Sequence, residues 1–313
     1  MNLLGRATGL LRRRRPSDAD RRLVLHLGSQ KTGTTAVQAW CRDHAAMLRD
    51  DDVVACTTQP EIRTALGGWY DVTRPGADAR LRDYLESAWT TSRAARLFYS
   101  CESNVGPAFT GDEPSLYPRF RTAVAGVDRA TAGTPRHVQF TIRSYGDFLE
   151  SAYQQQLKHG RATPFAALAD RVVDGLSWRE HVTSLVETFG ADNVTVYDYD
   201  RERPAPEQPL VGRILEDAMR WLGADRVTVG DEVSRRTNTR YTQRMADLSV
   251  EVLPLLQGAD ERAALHRFVT DALGRRPAAD DVPASFLDPG TSAELAERYA
   301  RDVAWIGSVV DVR

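Results

Sequence analysis

Lysine is nearly missing from this chain: only Lys31 and Lys158 occur among 41 lysine and arginine residues in 313. A lysine kept against such a background carries weight, because a compact ammonium and a flat guanidinium are not interchangeable at a phosphate. Cysteine is scarce too. Cys41, Cys56 and Cys101 have neither the close pairing of a zinc site nor the density of a disulfide scaffold, so no metal is expected and a reducing compartment fits. No apolar run reaches the ~18 residues that a membrane span needs. An excess of positive charge is absent, since the net charge is −2, which argues against broad electrostatic binding to nucleic acid. What is present, 42% hydrophobic and 27% charged residues, suits a globular, core-forming chain.

Positive charge is concentrated at the N-terminus, where Arg12–Arg15 follow Leu3, Leu4, Leu10 and Leu11. In a secretory signal the charges come first and a small-residue cleavage site comes last, so this order does not make one. Residues 1–20 are expected to be a solvated basic tail, with peripheral contact to anionic lipid as the alternative. The location expected is cytoplasmic, with membrane-peripheral as its variant.

Apolar, β-rich runs at Leu23–Leu27, Val53–Cys56, Arg96–Ser100, His137–Ile142 and Val194–Tyr199 read as strands. Helical patterns lie between them: Thr34–Leu48, Ala79–Ser92, Tyr117–Ala125, Phe148–His159 capped by Asp147, a helix opened by the capping box Ser177-Trp178-Arg179-Glu180 and stopped at Gly190, and Leu210–Leu222. Alternation of this kind predicts an α/β fold with a parallel sheet covered on both faces and ligands at the carboxyl ends of the strands. After about residue 235 the pattern turns helical, at Tyr241–Gln257, Asp260–Leu273 and Ser292–Ser308. The expected organisation is therefore a tail over 1–20, an α/β core over 21–235 and a helical extension over 236–313.

Between the first strand and first helix stands Gly28-Ser29-Gln30-Lys31-Thr32-Gly33-Thr34-Thr35. Strand, glycine-bearing turn and helix aim backbone N–H groups at a phosphate, and the threonine hydroxyls and the lysine charge add to the set. A nucleoside-triphosphate loop carries its lysine directly after the second glycine. Here Thr34 follows Gly33, and the lysine lies two residues before it. A kinase or NTPase reading keeps the loop and loses its lysine.

The order Lys31-Thr32-Gly33-Thr34-Thr35 resembles the 5′-phosphosulfate loop of sulfotransferases that use PAPS (3′-phosphoadenosine 5′-phosphosulfate), and Gln38 is similar to the bacterial and Golgi members. The resemblance runs from about Arg21 to Gly230 and implies a P-loop-type three-layer fold, a central parallel sheet flanked by helices with a helical C-terminal cap. It also implies that Ser29, Gln30, Lys31, Thr32, Gly33, Thr34 and Thr35 hold the 5′-phosphate of PAPS, with PAP as product and no metal required. A second signal is Arg143 at a strand end with Ser151 eight residues on, one turn into the next helix. Arginine and serine at this spacing resemble the family's pair for the 3′-phosphate. Ser234-Arg235-Arg236-Thr237-Asn238 falls where relatives often contact the same phosphate from a late loop, without matching closely. Where relatives have Tyr-Glu near the end of the last strand, this chain has Tyr197-Asp198 or Tyr199-Asp200.

Sulfonyl transfer needs a base. Ser100-Cys101-Glu102 is similar to the Ser-Ser-Glu of bacterial and Golgi-type members, where cytosolic relatives place a histidine, and Glu102 is the candidate. Glu61, Asp51 and Asp52 are its rivals. His26 reads as a satisfied core histidine, His159 and His181 as helix-surface residues, and Trp178 and Trp221 as core packing. The catalytic pair expected is Lys31 and Glu102, and the acceptor a hydroxyl of a carbohydrate, glycolipid or other small molecule. A P-loop nucleotide kinase or NTPase and a non-catalytic scaffold with a degenerate loop are the alternatives.

Overall fold

Strand β1 (Arg22–His26) is buried on both sides, with Leu23, Leu25 and Leu27 in one core and Val24 in another. A strand without a polar face belongs in the middle of a covered parallel sheet. The computed structural model describes residues 17–111, 113–161, 163–201, 209–230, 241–274 and 281–313. Within them β1 is followed by α1 (Thr34–Asp43), α2 (Ala45–Asp50), β2 (Val53–Cys56), α3 (Gln59–Ala65), α4 (Ala77–Ser92), β3 (Arg96–Ser100) and α5 (Phe120–Thr131). Then come β4 (Arg136–Ile142), α6 (Tyr145–Lys158), α7 (Phe165–Val172), α8 (Trp178–Phe189), β5 (Val194–Asp198) and α9 (Leu210–Leu222). The C-terminal part holds α10 (Gln243–Val252), α11 (Ala259–Phe268), α12 (Pro289–Ile306) and β6 (Asp311–Val312).

All strand pairings of the sheet formed by the described residues are parallel, and the order is β2-β3-β1-β4-β5-β6. The chain moves from β1 outward to β2, back to β3, then across β1 to β4. That reversal leaves a crevice at the carboxyl ends of β1, β3 and β4, where open α/β sheets bind ligands. One face is packed by residues of α4, α5, α8 and α12, the other by α1 and α9. Among the described residues a third cluster joins α6, α7 and α10 beside the sheet, through Leu149, Tyr153, Leu168, Tyr241 and Met245.

Several boundaries depart from the sequence pattern. The helix expected over Thr34–Leu48 breaks at His44, whose amide and ring Nδ1 both reach the Trp40 carbonyl, each at 2.9 Å, while the two rings stack at 4.4 Å. Asp147 does not cap α6. The helix starts earlier, after Ser144, whose amide donates to Asp200 Oδ2 at 2.6 Å. Ser177 precedes α8 without capping it, because its hydroxyl turns to Asp302 Oδ2 at 3.5 Å. Tyr117 lies outside α5 with φ 46°. The extension also supplies a strand, β6, whose two residues pair with Thr195 and Val196; so short a strand has no period of its own to be read. Residues 1–16 of the basic tail and Ser234–Asn238 lie outside the described residues. Among the described residues no helix is long and apolar enough to cross a membrane.

Candidate functional site: an anion loop beside a half-buried carboxylate

The loop begins as a continuation of β1. Gly28 O accepts from Thr141 N at 2.5 Å and Ser29 N donates to Thr141 O at 3.1 Å, so β4 holds the loop's first residues. Gly28 has φ +99°, and a Cβ there would stand 2.7 Å from Glu102 Cβ. Only glycine permits both that backbone angle and that approach. The Gln30 amide donates to the Tyr117 hydroxyl at 3.0 Å, and the Thr32 hydroxyl, 1% exposed, donates to Ser29 O at 2.6 Å. Thr34 Oγ1 reaches the same carbonyl at 3.4 Å. These side chains brace the loop from inside.

The next five amides behave differently. Among the described residues the N–H groups of Lys31, Thr32, Gly33, Thr34 and Thr35 donate to no acceptor of the protein. They precede and open α1, with Gly33 at φ 90° in the N-cap position. Five consecutive donors at a helix N-terminus form a cradle for an anion, and the helix dipole favours the charge. The Ser29 and Gln30 amides belong to the scaffold, so Ser29 and Gln30 are placed beside the cradle and their N–H groups outside it.

Arg143 leaves the end of β4, 4% exposed. Its Nη1 donates to the Lys31 carbonyl at 2.8 Å, its guanidinium lies 4.9 Å from the Tyr199 ring centre, and Nη2 stands 4.0 Å from Asp147 Oδ1. Trp178, wholly buried, donates from Nε1 to the Arg143 carbonyl at 2.7 Å. It packs in the core as expected, and it also fixes the backbone that carries Arg143. Ser151 is the seventh residue of α6, nearly two turns in rather than one, because the helix starts early. On that helix Asp147, Ser151 and Gln155 succeed one another at intervals of four on one face. Asp147 is beside Arg143 and Gln155 Oε1 accepts from Lys31 Nζ at 2.6 Å, so Ser151 sits between the two cations.

Burial first, then the Lys158 ammonium and the Arg143 guanidinium, push the Lys31 ammonium down to about 8, against an upward pull from Glu102. Glu102 opens a short 3-10 turn, Glu102–Val105, after β3. Its Oε2 accepts from Gln38 Nε2 at 3.0 Å and Gln59 Nε2 at 2.9 Å. Burial pushes its carboxyl above the usual carboxylate range, opposed by hydrogen bonds from Gln38 and Gln59 and by the Lys31 charge. A half-buried carboxyl beside a cation, with a raised pKa, has the properties of a general base near neutral pH. Gln38 entered through the resemblance alone. No local pattern marks Gln59: it opens α3, and only the tertiary fold brings it to Glu102.

The rival acids stand elsewhere. Asp51 and Asp52 precede β2, at the amino edge of the sheet, roughly 15 Å of strand from the loop. Asp51 pairs there with Arg226 Nε at 2.8 Å, and Asp52 Oδ2 accepts the Ala95 amide at 3.2 Å. Glu61 is exposed on α3. His26 is only half satisfied: Nδ1 meets Ser100 Oγ at 2.9 Å, while Nε2 is buried without a partner among the described residues. Burial pushes its ring down to about 4, which keeps it neutral. His181 is buried rather than superficial, its two nitrogens at the Ser177 and Leu116 carbonyls. His159 is exposed. A polar cleft between the first turn of α6, Ser285, Leu287 and α12 includes Glu150, but that carboxylate already accepts the Phe286 and Leu287 amides. Among the described residues no group of three His, Cys, Asp or Glu side chains is arranged to hold a metal ion.

No family model matches the chain, and no curated protein matches it. Seven solved chains align with it, among them the following two. A sulfotransferase from Alicyclobacillus acidocaldarius does so over 79% of this chain and 96% of its own, at 14% identity and a TM-score of 0.44. Retinol dehydratase, in complex with androsterone and inactive cofactor PAP, does so over 96% of this chain and 84% of its own, at 10% identity and a TM-score of 0.34. Likenesses at these scores say nothing about substrate or chemistry.

Proposed function

We propose that this chain is a sulfotransferase that moves a sulfonyl group from PAPS to an acceptor hydroxyl. The observation that carries the reading is the run of five open amides from Lys31 to Thr35, with the Lys31 ammonium at Gln155 of α6 and Arg143 on the Lys31 carbonyl. One anion cradle suits a 5′-phosphate, and a guanidinium with a hydroxyl beside it suits a 3′-phosphate. The resemblance in sequence supplies the same pairing.

In this reading Glu102 takes the proton of the acceptor hydroxyl. The acceptor oxygen bonds to sulfur as the bond from sulfur to the bridging oxygen breaks, and PAP leaves with the bond's electron pair. Lys31 stabilises the charge that develops on the bridging oxygen, and the amides from Lys31 to Thr35 hold the phosphate. The work is positioning and preorganised electrostatics, as in phosphoryl transfer, and no metal is needed for it. The acceptor is a hydroxyl of a small molecule, carbohydrate or glycolipid.

Thermal unfolding with PAP and, separately, with ATP and Mg²⁺ tests the reading. PAP raises the midpoint and ATP–Mg²⁺ does not; the reverse result would make the chain a triphosphate enzyme. Release of PAP from PAPS over a panel of acceptor hydroxyls then separates an enzyme from a binding protein.

A further inference from the structure

The chain's two lysines come to one face of α6. Lys31 Nζ donates to Gln155 Oε1 at 2.6 Å, and Lys158 stands three residues after Gln155 on the same helix. Residues three apart on a helix share a face. The electrostatic influences on Lys31 are Lys158, Glu102 and Arg143. Lys158 Nζ lies 5.1 Å from the ring centre of Tyr241, which docks the C-terminal helices: its amide donates to Gln154 Oε1 at 3.1 Å, and its hydroxyl meets His266 Nδ1 at 3.0 Å. His159, whose Nε2 is 2.7 Å from Gln155 Nε2, is the remaining titratable neighbour on α6. Three cationic side chains, Lys31, Lys158 and Arg143, gather here with two carboxylates, Glu102 and Asp147.

Helix α6 also orders those charges. Arg143 and Asp147 stand at its start, the Lys31 ammonium lies at Gln155, about 12 Å along the axis from Asp147, and Lys158 is about 4.5 Å further. On the reading proposed above, Arg143 matches the 3′-phosphate and Lys31 the 5′-phosphate, so the next position along the donor is the sulfonyl group. We infer that Lys158 is a second cation of the donor site and binds the sulfonyl oxygens of the phosphosulfate, at the end of the crevice bounded by Tyr241. A compact ammonium suits a small, three-oxygen group, whereas arginine serves almost everywhere else in this chain.

This inference rests on the proposed function, and calorimetric titration separates the two. Wild-type protein and Lys158→Met are each titrated with PAP, which lacks the sulfonyl group, and with PAPS, which has it. The expected result is a loss of tenfold or more for PAPS on Lys158→Met, with PAP within twofold. Unchanged PAP binding also shows that the variant is folded. Equal weakening of both ligands, or of neither, overturns the role of Lys158 and leaves the donor assignment standing. Failure of the wild type to bind either ligand overturns both. Lys158→Arg, which keeps the charge and the contact with Tyr241, is expected to recover part of the lost PAPS affinity, and no recovery would overturn a role for the Lys158 charge.

Discussion

Arg143 donates from Nη1 to the main-chain carbonyl of Lys31 at 2.8 Å. The residue proposed for the 3′-phosphate is thus also the brace behind the loop proposed for the 5′-phosphate. Arg143→Ala is expected to weaken PAP and PAPS by about 100-fold, the range of a lost charge-assisted hydrogen bond. Adenosine 5′-phosphosulfate, which has no 3′-phosphate, should also lose affinity, but only severalfold, through the loosened loop. Direct binding measurements on the three ligands decide it, and equal losses for all three would remove Arg143 from the 3′-phosphate role.

Lys31→Met should lower the rate of sulfonyl transfer by about 10²–10³, as for removal of a key oxyanion donor. Because burial lowers the Lys31 ammonium to about 8 in the free protein, the cation is lost as pH rises through that value. The wild-type kcat/KM is therefore expected to fall above about pH 8, and Lys31→Arg, which stays charged, to lack that limb. A wild-type turnover rate in Lys31→Met would overturn the mechanism.

Gln38 and Gln59 both donate to Glu102 Oε2, which favours the charged carboxylate. Gln59→Met removes one donor, so the Glu102 pKa rises further. The acid limb of the kcat/KM profile should move up by about one pH unit, the equivalent of ~1.4 kcal/mol. Activity at pH 6 then falls more than activity at pH 9. An unchanged profile in Gln59→Met and Gln38→Met would mean that the titrating base is another group. Glu102→Gln should abolish the acid limb together with most of the rate.

Gly28→Ala puts a Cβ 2.7 Å from Glu102 Cβ at a φ of +99°. Backbone strain and overpacking each cost about 1–3 kcal/mol. The variant should lose stability by an amount in that range, read as a lower denaturant midpoint, and lose PAP affinity as the loop shifts. Wild-type values for both would show that the loop and the base are not in contact.

How much of this was legible in one dimension follows from the range of each interaction. The motif from Gly28 to Thr35 is contiguous, and the strand before it and helix after it are each stamped by a local apolar pattern. The sheet's alternation, Arg143 at a strand end and Glu102 after another were readable for the same reason. The start of α6 was not, because the Asp200 carboxylate that anchors Ser144 arrives from the end of β5, 56 residues away. His181 looked superficial because no local pattern announces the Leu116 carbonyl that buries it. Asp51 and Glu102 are both acids beside a strand, and only the parallel direction of the sheet puts one at the empty edge and the other at the crevice.

Sequence alone determined the α/β alternation, the anion loop with its displaced lysine, and the identity of the candidate base, since each is written in residues adjacent along the chain. Tertiary structure decided which loop amides stay open, that two glutamines hold one oxygen of Glu102, that β6 closes the sheet from the far end of the chain, and that both lysines share one helix face. Those relations join residues tens to hundreds of positions apart, and their free energy comes from packing that exists only once the sheet has formed.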